Sequence, residues 1–225
     1  MKVSVIIPTL NESKGLAHTL DHLLPFDTHE IILGDGGSTD GTQEIAARHP
    51  VRVVPGTRGR GAQMNAAAAT ASGDLFLFLH ADSRVDPAGY RNMLRVMENG
   101  HLLGGAFSLL IDSPRPALRL VSRMATWRAR FLNLVYGDQA FFVRAGVFRE
   151  LGGFPPLPIC EDLEFFRQLS RRGPVVILPE KTSTSSRRWE ADGIAFTTFR
   201  NLVIAGAFLI GFPPRLLSRW RPPRR

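Results

Sequence analysis

One cysteine, three lysines and no uncharged apolar run long enough to cross a bilayer set the first limits on this 225-residue sequence. Cys160 alone cannot form an internal disulfide or a cysteine-based structural zinc site, so nothing here calls for an oxidising compartment. The nearest thing to a membrane segment, Ile194 to Phe212, is interrupted by Arg200 and Asn201, and the 11 residues from Leu202 to Phe212 are too few to span. Met1 to Pro8 carries a lysine and a short apolar run but no small-residue cleavage site, so it reads as a first strand and not as a signal peptide. Internal repeats and low-complexity linkers are absent, as are G-x-G-x-x-G and G-K-[ST], which removes support for hydride transfer on a dinucleotide fingerprint and for P-loop phosphoryl transfer. A cytoplasmic protein is expected.

What is present suits a globular core: 44% of residues are apolar and 21% charged. The net charge of +8 is unevenly spread, since residues 1–112 hold 9 basic against 12 acidic side chains and residues 113–225 hold 19 against 8. Of the 28 basic residues 25 are arginine, which suits phosphate or carboxylate recognition and equally reflects compositional bias. The basic C-terminal cluster carries a single aromatic, Trp220, so it lacks the repeated aromatic interleaving of a nucleic-acid surface and nucleic acid is not an expected partner. That cluster, Arg215, Arg219, Arg221, Arg224 and Arg225, follows the Ile194 to Phe212 helix, which reads either as a core helix or as peripheral contact with the inner membrane face.

The first hundred residues alternate apolar runs with helical patterns: VSVIIP then Asn11 to Leu24, EIILGD then Thr39 to His49, VRVVP then Arg60 to Ser72, LFLFLHAD then Pro87 to Asn99. Near-continuous Val, Ile, Leu and Phe mark strands buried on both faces, so the pattern predicts a doubly wound, Rossmann-like α/β domain with a mostly parallel sheet flanked by helices and a C-terminal helical extension. Beyond residue 100 the pattern changes: GGAFSLLI, QAFFVR and VVILP read as strands, and Pro116 to Leu134 and Glu161 to Arg172 as helices.

In such a sheet the ligand crevice lies beyond the carboxyl ends of the strands, which predicts that Thr9, Glu12, Asp35 and Asp82 converge. Asp35 stands at a strand tip followed by glycines that would let a flat ring or ribose approach, while Asp35 and Asp40 serve equally well as turn and capping residues. Asp82 is held at the rim where a hard divalent cation bridging a diphosphate needs an oxygen ligand. His80, two residues earlier, is a candidate second ligand or a hydrogen-bonded structural residue. Arg60 at a helix start suits a phosphate or sits in a solvated loop. Cys160-Glu161-Asp162 opens a helix whose dipole favours acids for its own sake; the functional reading makes Asp162 a general base, with GGFPPLP as an adjustable wall above it.

Together these segments, over residues 1–190, resemble the family 2 glycosyltransferases of GT-A fold. VSVIIPTLNE resembles the opening strand, GDGGSTDGT the nucleotide-binding V-D-D-G-S-T-D-G-T, FLHAD the D-x-D, and GGF with Glu161-Asp162 the acceptor-side E-D. The resemblance implies a GT-A domain over 1–190, with a nucleotide-donor half (1–100) and an acceptor half (101–190), followed by a C-terminal helix and basic tail over 191–225. It makes Asp35 a partner of the donor's base, Thr9 and Glu12 pocket lining, Asp82 a metal ligand and Asp162 the catalytic base. The sequence departs from the pattern at His80 and Gly36, where the family has Asp, and Arg188-Trp189 lacks the preceding glutamine of processive members. The H-A-D form with GDQAFFVR and RRW is similar to a small bacterial subgroup associated with arsenosugar biosynthesis.

The implied activity is hexosyltransferase-like, an inverting single displacement. Asp162 takes the proton of an acceptor hydroxyl while a divalent cation (Mn or Mg) at Asp82, with His80, neutralises the departing nucleoside diphosphate of a UDP- or GDP-linked sugar. Glu161, Arg188 and Trp189 fall on the acceptor side. Two rival readings are a sugar-phosphate nucleotidyltransferase and a non-catalytic nucleotide-binding pseudo-transferase, the latter favoured by His80.

Overall fold

Alternation of buried apolar residues organises the chain around one sheet covered on both faces. Val3, Val5 and Ile7 of the first strand point into one core layer and Ile6 into the other; Leu75 and Leu77 join the first layer, Phe76 and Phe78 the second. A strand buried on both sides is apolar at every position for this reason. The computed structural model describes residues 1–220; Arg221, Arg224 and Arg225 of the basic tail lie outside the described residues.

In chain order the elements are β1 (Val3–Thr9), α1 (Leu16–Leu23), β2 (Glu30–Asp35), α2 (Thr42–Ala46), β3 (Arg52–Pro55), α3 (Arg60–Thr70), β4 (Leu75–Phe78), β5 (Ser83–Val85), α4 (Pro87–Glu98), β6 (Gly104–Asp112), α5 (Pro116–Leu132), β7 (Phe141–Arg144), α6 (Ala145–Glu150), α7 (Glu161–Arg172), β8 (Val175–Ser185), α8 (Arg187–Asp192), α9 (Ile194–Leu209) and α10 (Pro214–Leu217). The strands lie in the order β3-β2-β1-β4-β7-β6-β8-β5. Helices α1 and α4 cover one face through Leu16, Leu20, Leu23, Tyr90, Met93 and Met97. The other face is covered by α3, α6 and α7 through Met64, Ala67, Phe148, Phe165, Phe166 and Leu169.

The sheet is mixed, not parallel throughout. Strands β3, β2, β1 and β4 run parallel, but β7 is antiparallel to both β4 and β6, and β5 is antiparallel to β8. An apolar run declares a buried strand without declaring its direction, so the expected mostly parallel sheet is found with its antiparallel strands in the second half. Strand β8 is also longer than VVILP, because Thr182 and Thr184 continue it beside β6 and are satisfied there by the Arg84 carbonyl and the Ser83 hydroxyl. Its register against β6 jumps from Phe107–Leu178 to Ser108–Lys181, a bulge that admits two extra residues on β8.

After β8 the chain turns into α8 to α10. Trp189 of α8 is buried against Leu109, Ile111, Leu118 and Ala125, while Ile204 and Ala205 of α9 pack on Ile159 and Leu163. The stretch read as a core helix or surface helix is α9, and it ends at Leu209; it buries only Thr197, Ile204 and Ala205 and leaves Phe196, Phe199 and Leu202 exposed. No helix among the described residues is long and apolar enough to cross a membrane.

Candidate active site

The loops leaving β1 and β2 are fastened to each other by side chains that accept or donate across 26–30 residues of sequence. Asn11, at φ 56°, takes the left-handed conformation that asparagine tolerates. Its N–H donates to the Ser38 hydroxyl, its side-chain oxygen accepts from Thr39 N–H, Glu12 N–H donates to Thr42 Oγ1, and Ser13 N–H donates to Asp40. Partial desolvation of Asp40 is outweighed by hydrogen bonds from Thr42 and Ser13, which bring its pKa down to about 2. The backbone of residues 11–13 is therefore spent on this fastening, and α1 starts at Leu16 instead of Asn11.

Asp35 is buried at the centre of this loop pair. Its carboxylate accepts from Thr9 Oγ1, Gly37 N–H, Ser38 N–H, the Ser38 hydroxyl and Gln43 Nε2. Burial raises its proton affinity, but the bonds from Ser38, Gln43 and Thr9 prevail and hold Asp35 below the usual carboxylate range. These five donors fill the acceptor capacity of a carboxylate, so Asp35 shapes the loop in the way a turn-organising residue does. The glycines around it also differ from expectation. A Cβ at Gly34 would lie 2.2 Å from the Gln63 carbonyl oxygen, and one at Gly36 would lie 2.7 Å from Gln63 Nε2. Both glycines make room for α3; only Gly37, at φ 88° with nothing within 4 Å, faces open space.

Across from this pair, Glu12 and Asp82 form an acidic corner. Burial, and then the charge of Asp82, push the Glu12 carboxyl up to about 7. Arg187 reaches Asp82 at 3.7 Å. For a divalent cation the donor set offers a narrow fit: Asp82 is a partly exposed carboxylate beside Glu12, but among the described residues no three of His, Cys, Asp and Glu are grouped to hold a metal. A cation here would draw most of its ligands from a bound diphosphate. His80 turns elsewhere: the site of a Cβ on Gly137 lies 2.6 Å from its Nε2 and 3.1 Å from Asp162 Oδ2, so His80 and Asp162 close on the same glycine. Burial and the Arg60 guanidinium lower the His80 pKa to about 4, leaving a neutral imidazole. Its expected place as a second metal ligand is thus taken by contact with the Gly137 wall.

Asp162 sits in the first turn of α7, behind Cys160 at φ 64°. Its two oxygens accept from Gly137 N–H at 2.7 Å and Leu163 N–H at 2.8 Å, which fixes the carboxylate's direction. Glu12 and Asp82 thus meet at one corner, Thr9 and Asp35 are bonded to each other in the buried loop pair beside it, and Glu161 and Asp162 are buried at the head of α7. Arg60, expected to contact phosphate, pairs here with Glu161 at 3.0 Å and is held firmly protonated by that charge. Arg188 is exposed and within electrostatic range of Arg60, Asp138 and Asp82. Trp189, expected on the acceptor side, belongs to the core under α5.

Three residues that hold neighbouring segments together were assigned no role from the sequence. Gln63 donates to the Thr9 carbonyl from a buried position, and Asn65 both donates to Phe154 C=O and accepts from Phe154 N–H. Phe154 is further packed in a ring cluster with Phe78, Phe148 and Phe165 at centroid distances of 4.9, 5.6 and 4.9 Å. The start of the GGFPPLP loop is therefore anchored and not an adjustable wall. Gly137 is the third. Buried polar residues in an alanine-rich helix were the available signal for Gln63 and Asn65; Gly137 opens the GDQAFFVR segment, which carried a resemblance but no role for the glycine.

Comparison with known proteins adds to this geometry. The family model described as Glycosyl transferase family 2 matches residues 4–149. Over 109 residues the chain is 34% identical to a dolichol-phosphate mannosyltransferase of Pyrococcus furiosus, covering 44% of this chain and 31% of that protein. Over 114 residues it is 30% identical to an uncharacterized glycosyltransferase of Nostoc sp., covering 46% and 35%. The matched segment thus spans about a third of the length of these curated relatives. Among solved structures, S. aureus TarS 1–349 in complex with UDP superposes with a TM-score of 0.68 at 20% identity, over 82% of this chain and 60% of that one. Glucosyl-3-phosphoglycerate synthase from Mycobacterium tuberculosis, in complex with Mn2+, UDP and phosphoglyceric acid, gives 0.64 at 18% identity over 94% and 79%.

Proposed function

The chain belongs to glycosyl transferase family 2 and has the GT-A fold, and from that premise we propose that it moves a sugar from a nucleoside diphosphate donor to an acceptor hydroxyl with inversion at the anomeric carbon. One observation carries the reading. The loops after β1, β2 and β4 carry the Thr9–Asp35 bond and the Glu12–Asp82 corner, and Asp162 at the head of α7 is oriented by the Gly137 N–H at 2.7 Å, an arrangement that supports a donor site facing a base.

In this reading Gly37 and the Asn11–Ser38 fastening present backbone and open space to the base and ribose, with Asp35 beneath them as the residue that fixes their shape. Asp82 and Glu12 face the diphosphate. A divalent cation, when bound, would be held by Asp82 and would neutralise negative charge on the leaving diphosphate. Asp162 accepts the proton of the acceptor hydroxyl as that oxygen bonds to the anomeric carbon and the bond from that carbon to the phosphate oxygen breaks. The neutral His80 imidazole, packed at Gly137 beside Asp162, keeps a second charge away from the base. The UDP bound by TarS and the UDP and Mn2+ bound by the mycobacterial synthase support a nucleotide-sugar donor and a cation for this chain as well. The basic C-terminal segment, of which Arg215 and Arg219 are exposed, supports peripheral contact at the cytoplasmic face of a membrane.

Calorimetric titration with UDP, GDP and CDP, each with and without manganese, tests the donor site. Binding of one nucleotide, strengthened by manganese, is the expected result. Asp162→Asn should reduce transfer by about 100-fold or more with nucleotide affinity preserved. Full turnover by that variant would remove Asp162 as the base, and absence of any nucleotide binding would favour the non-catalytic reading.

A further inference from the structure

Helix α5 is apolar on two opposite sides. Leu118, Ser122, Ala125 and Ala129 face inward, and the same spacing repeated two residues later places Leu120, Met124, Trp127 and Phe131 in water. Trp127 is 58% exposed and Phe131 68%, and their rings stack on each other at 5.2 Å. The inner stripe accounts for how the helix packs, whereas the outer one is left exposed by the described residues.

Beside this stripe, between α5 and the β6–β8 pair, lies a groove of about 500 Å3. Arg119, Arg123, Arg130 and Lys181 line it, with Trp127 and Phe131 at its edge, and no acidic side chain takes part in the lining. None of the four cations pairs with a carboxylate among the described residues; Arg130 only reaches the Ser108 hydroxyl, at 3.3 Å. The lysine is brought to the groove by the two-residue bulge in β8, which pairs Lys181 with Ser108.

We infer that this face docks on a lipid surface of anionic headgroups, phosphates entering the cationic groove while Trp127 and Phe131 seat in the interfacial layer. Aromatic residues flanked by arginines are the chemistry of a segment lying in a headgroup plane, where each cation gains from the negative surface potential. A second copy of this chain is a poor occupant, since it would bring the same four cations against their like in a half of the sequence that carries +11. The inference stands apart from the transferase reading and would survive its failure.

The test is sedimentation of the full chain with vesicles of phosphatidylcholine alone and of an equal mixture with phosphatidylglycerol. Binding to the mixed vesicles only, released by high salt, is expected. The triple variant Arg119→Glu, Arg123→Glu, Arg130→Glu should weaken it by about tenfold or more, and Trp127→Ala with Phe131→Ala should weaken it to a similar degree. All five side chains are exposed, so thermal unfolding and nucleotide titration should match the parent. Equal binding to both vesicles, no binding to either, or binding indifferent to both variants would each overturn the proposal. So would a concentration-dependent dimer that the same variants abolish and vesicles do not compete.

Discussion

The Gly137 N–H donates to Asp162 at 2.7 Å from a position where a Cβ would lie 2.6 Å from His80 Nε2. One residue without a side chain therefore sets the separation between the histidine at the end of the β4 loop and the carboxylate at the head of α7. Gly137→Ala should cost about 1–3 kcal/mol in stability, since the added methyl displaces either ring or carboxylate. Transfer should fall by about tenfold or more while nucleotide affinity holds. Steady-state kinetics beside a nucleotide titration checks this; a loss confined to affinity would detach Gly137 from the chemistry.

Glu12→Gln should make the protein more stable at pH 8 and leave it nearly unchanged at pH 5. The folded-state pKa of Glu12 is raised to about 7 by burial and by Asp82, above the ordinary 4.5, so the folded protein binds the extra proton. Stability from this group is thus present at low pH and is lost as pH rises between those two values. Glutamine mimics the protonated form throughout. Melting temperatures of both proteins at pH 5 and pH 8 decide the matter, and a gap equal at the two values would contradict the assignment.

Asp35→Ala leaves Thr9, Ser38, Gln43 and two backbone N–H groups without their acceptor in a buried loop. A loss of about 2 kcal/mol or more in stability is expected, with nucleotide affinity reduced by about tenfold or more. Asp35→Asn, which keeps one acceptor oxygen, should fall between. Unchanged affinity in the alanine variant would place the nucleotide away from the β2 loop.

Gly34→Ala should be far costlier than Gly37→Ala. At Gly34 the methyl meets the Gln63 carbonyl at 2.2 Å and forces β2 and α3 apart, for about 3 kcal/mol. At Gly37 it meets nothing, and only the positive φ is penalised, by about 1–2 kcal/mol. Urea midpoints of the two variants order them directly.

The parallel donor half was legible because its strands are buried on both faces and carry an unbroken apolar run; α7 was legible to its ends, Glu161 and Arg172, because acids open it and a glycine follows. The direction of β7 was not, since Phe141 to Arg144 reads the same in either sense. Nor was the full length of β8, whose later residues are polar and earn their buried places from Ser83 and Arg84 about a hundred positions earlier. Around the strand ends, the rule that the ligand crevice lies there named Thr9 and Asp35, which bond to each other, and Glu12 and Asp82, which share an acidic corner. It could not say that Arg60 would be claimed by Glu161 or that Trp189 would sink beneath α5, because both outcomes depend on partners remote in sequence. Asn65 and Gln63 were hidden for the same reason, their bonds reaching 89 and 54 residues away.

The two bonds between Asn65 and Phe154, with the Arg60–Glu161 pair one helical turn earlier, rivet α3 to the segment that carries Asp162. A hinge that parted the nucleotide wall from the base would have to break all of these at once. In the proposed function, this would make the separation between the donor-side loops and Asp162 a property of the scaffold, with substrates entering over the rim and not through a hinge.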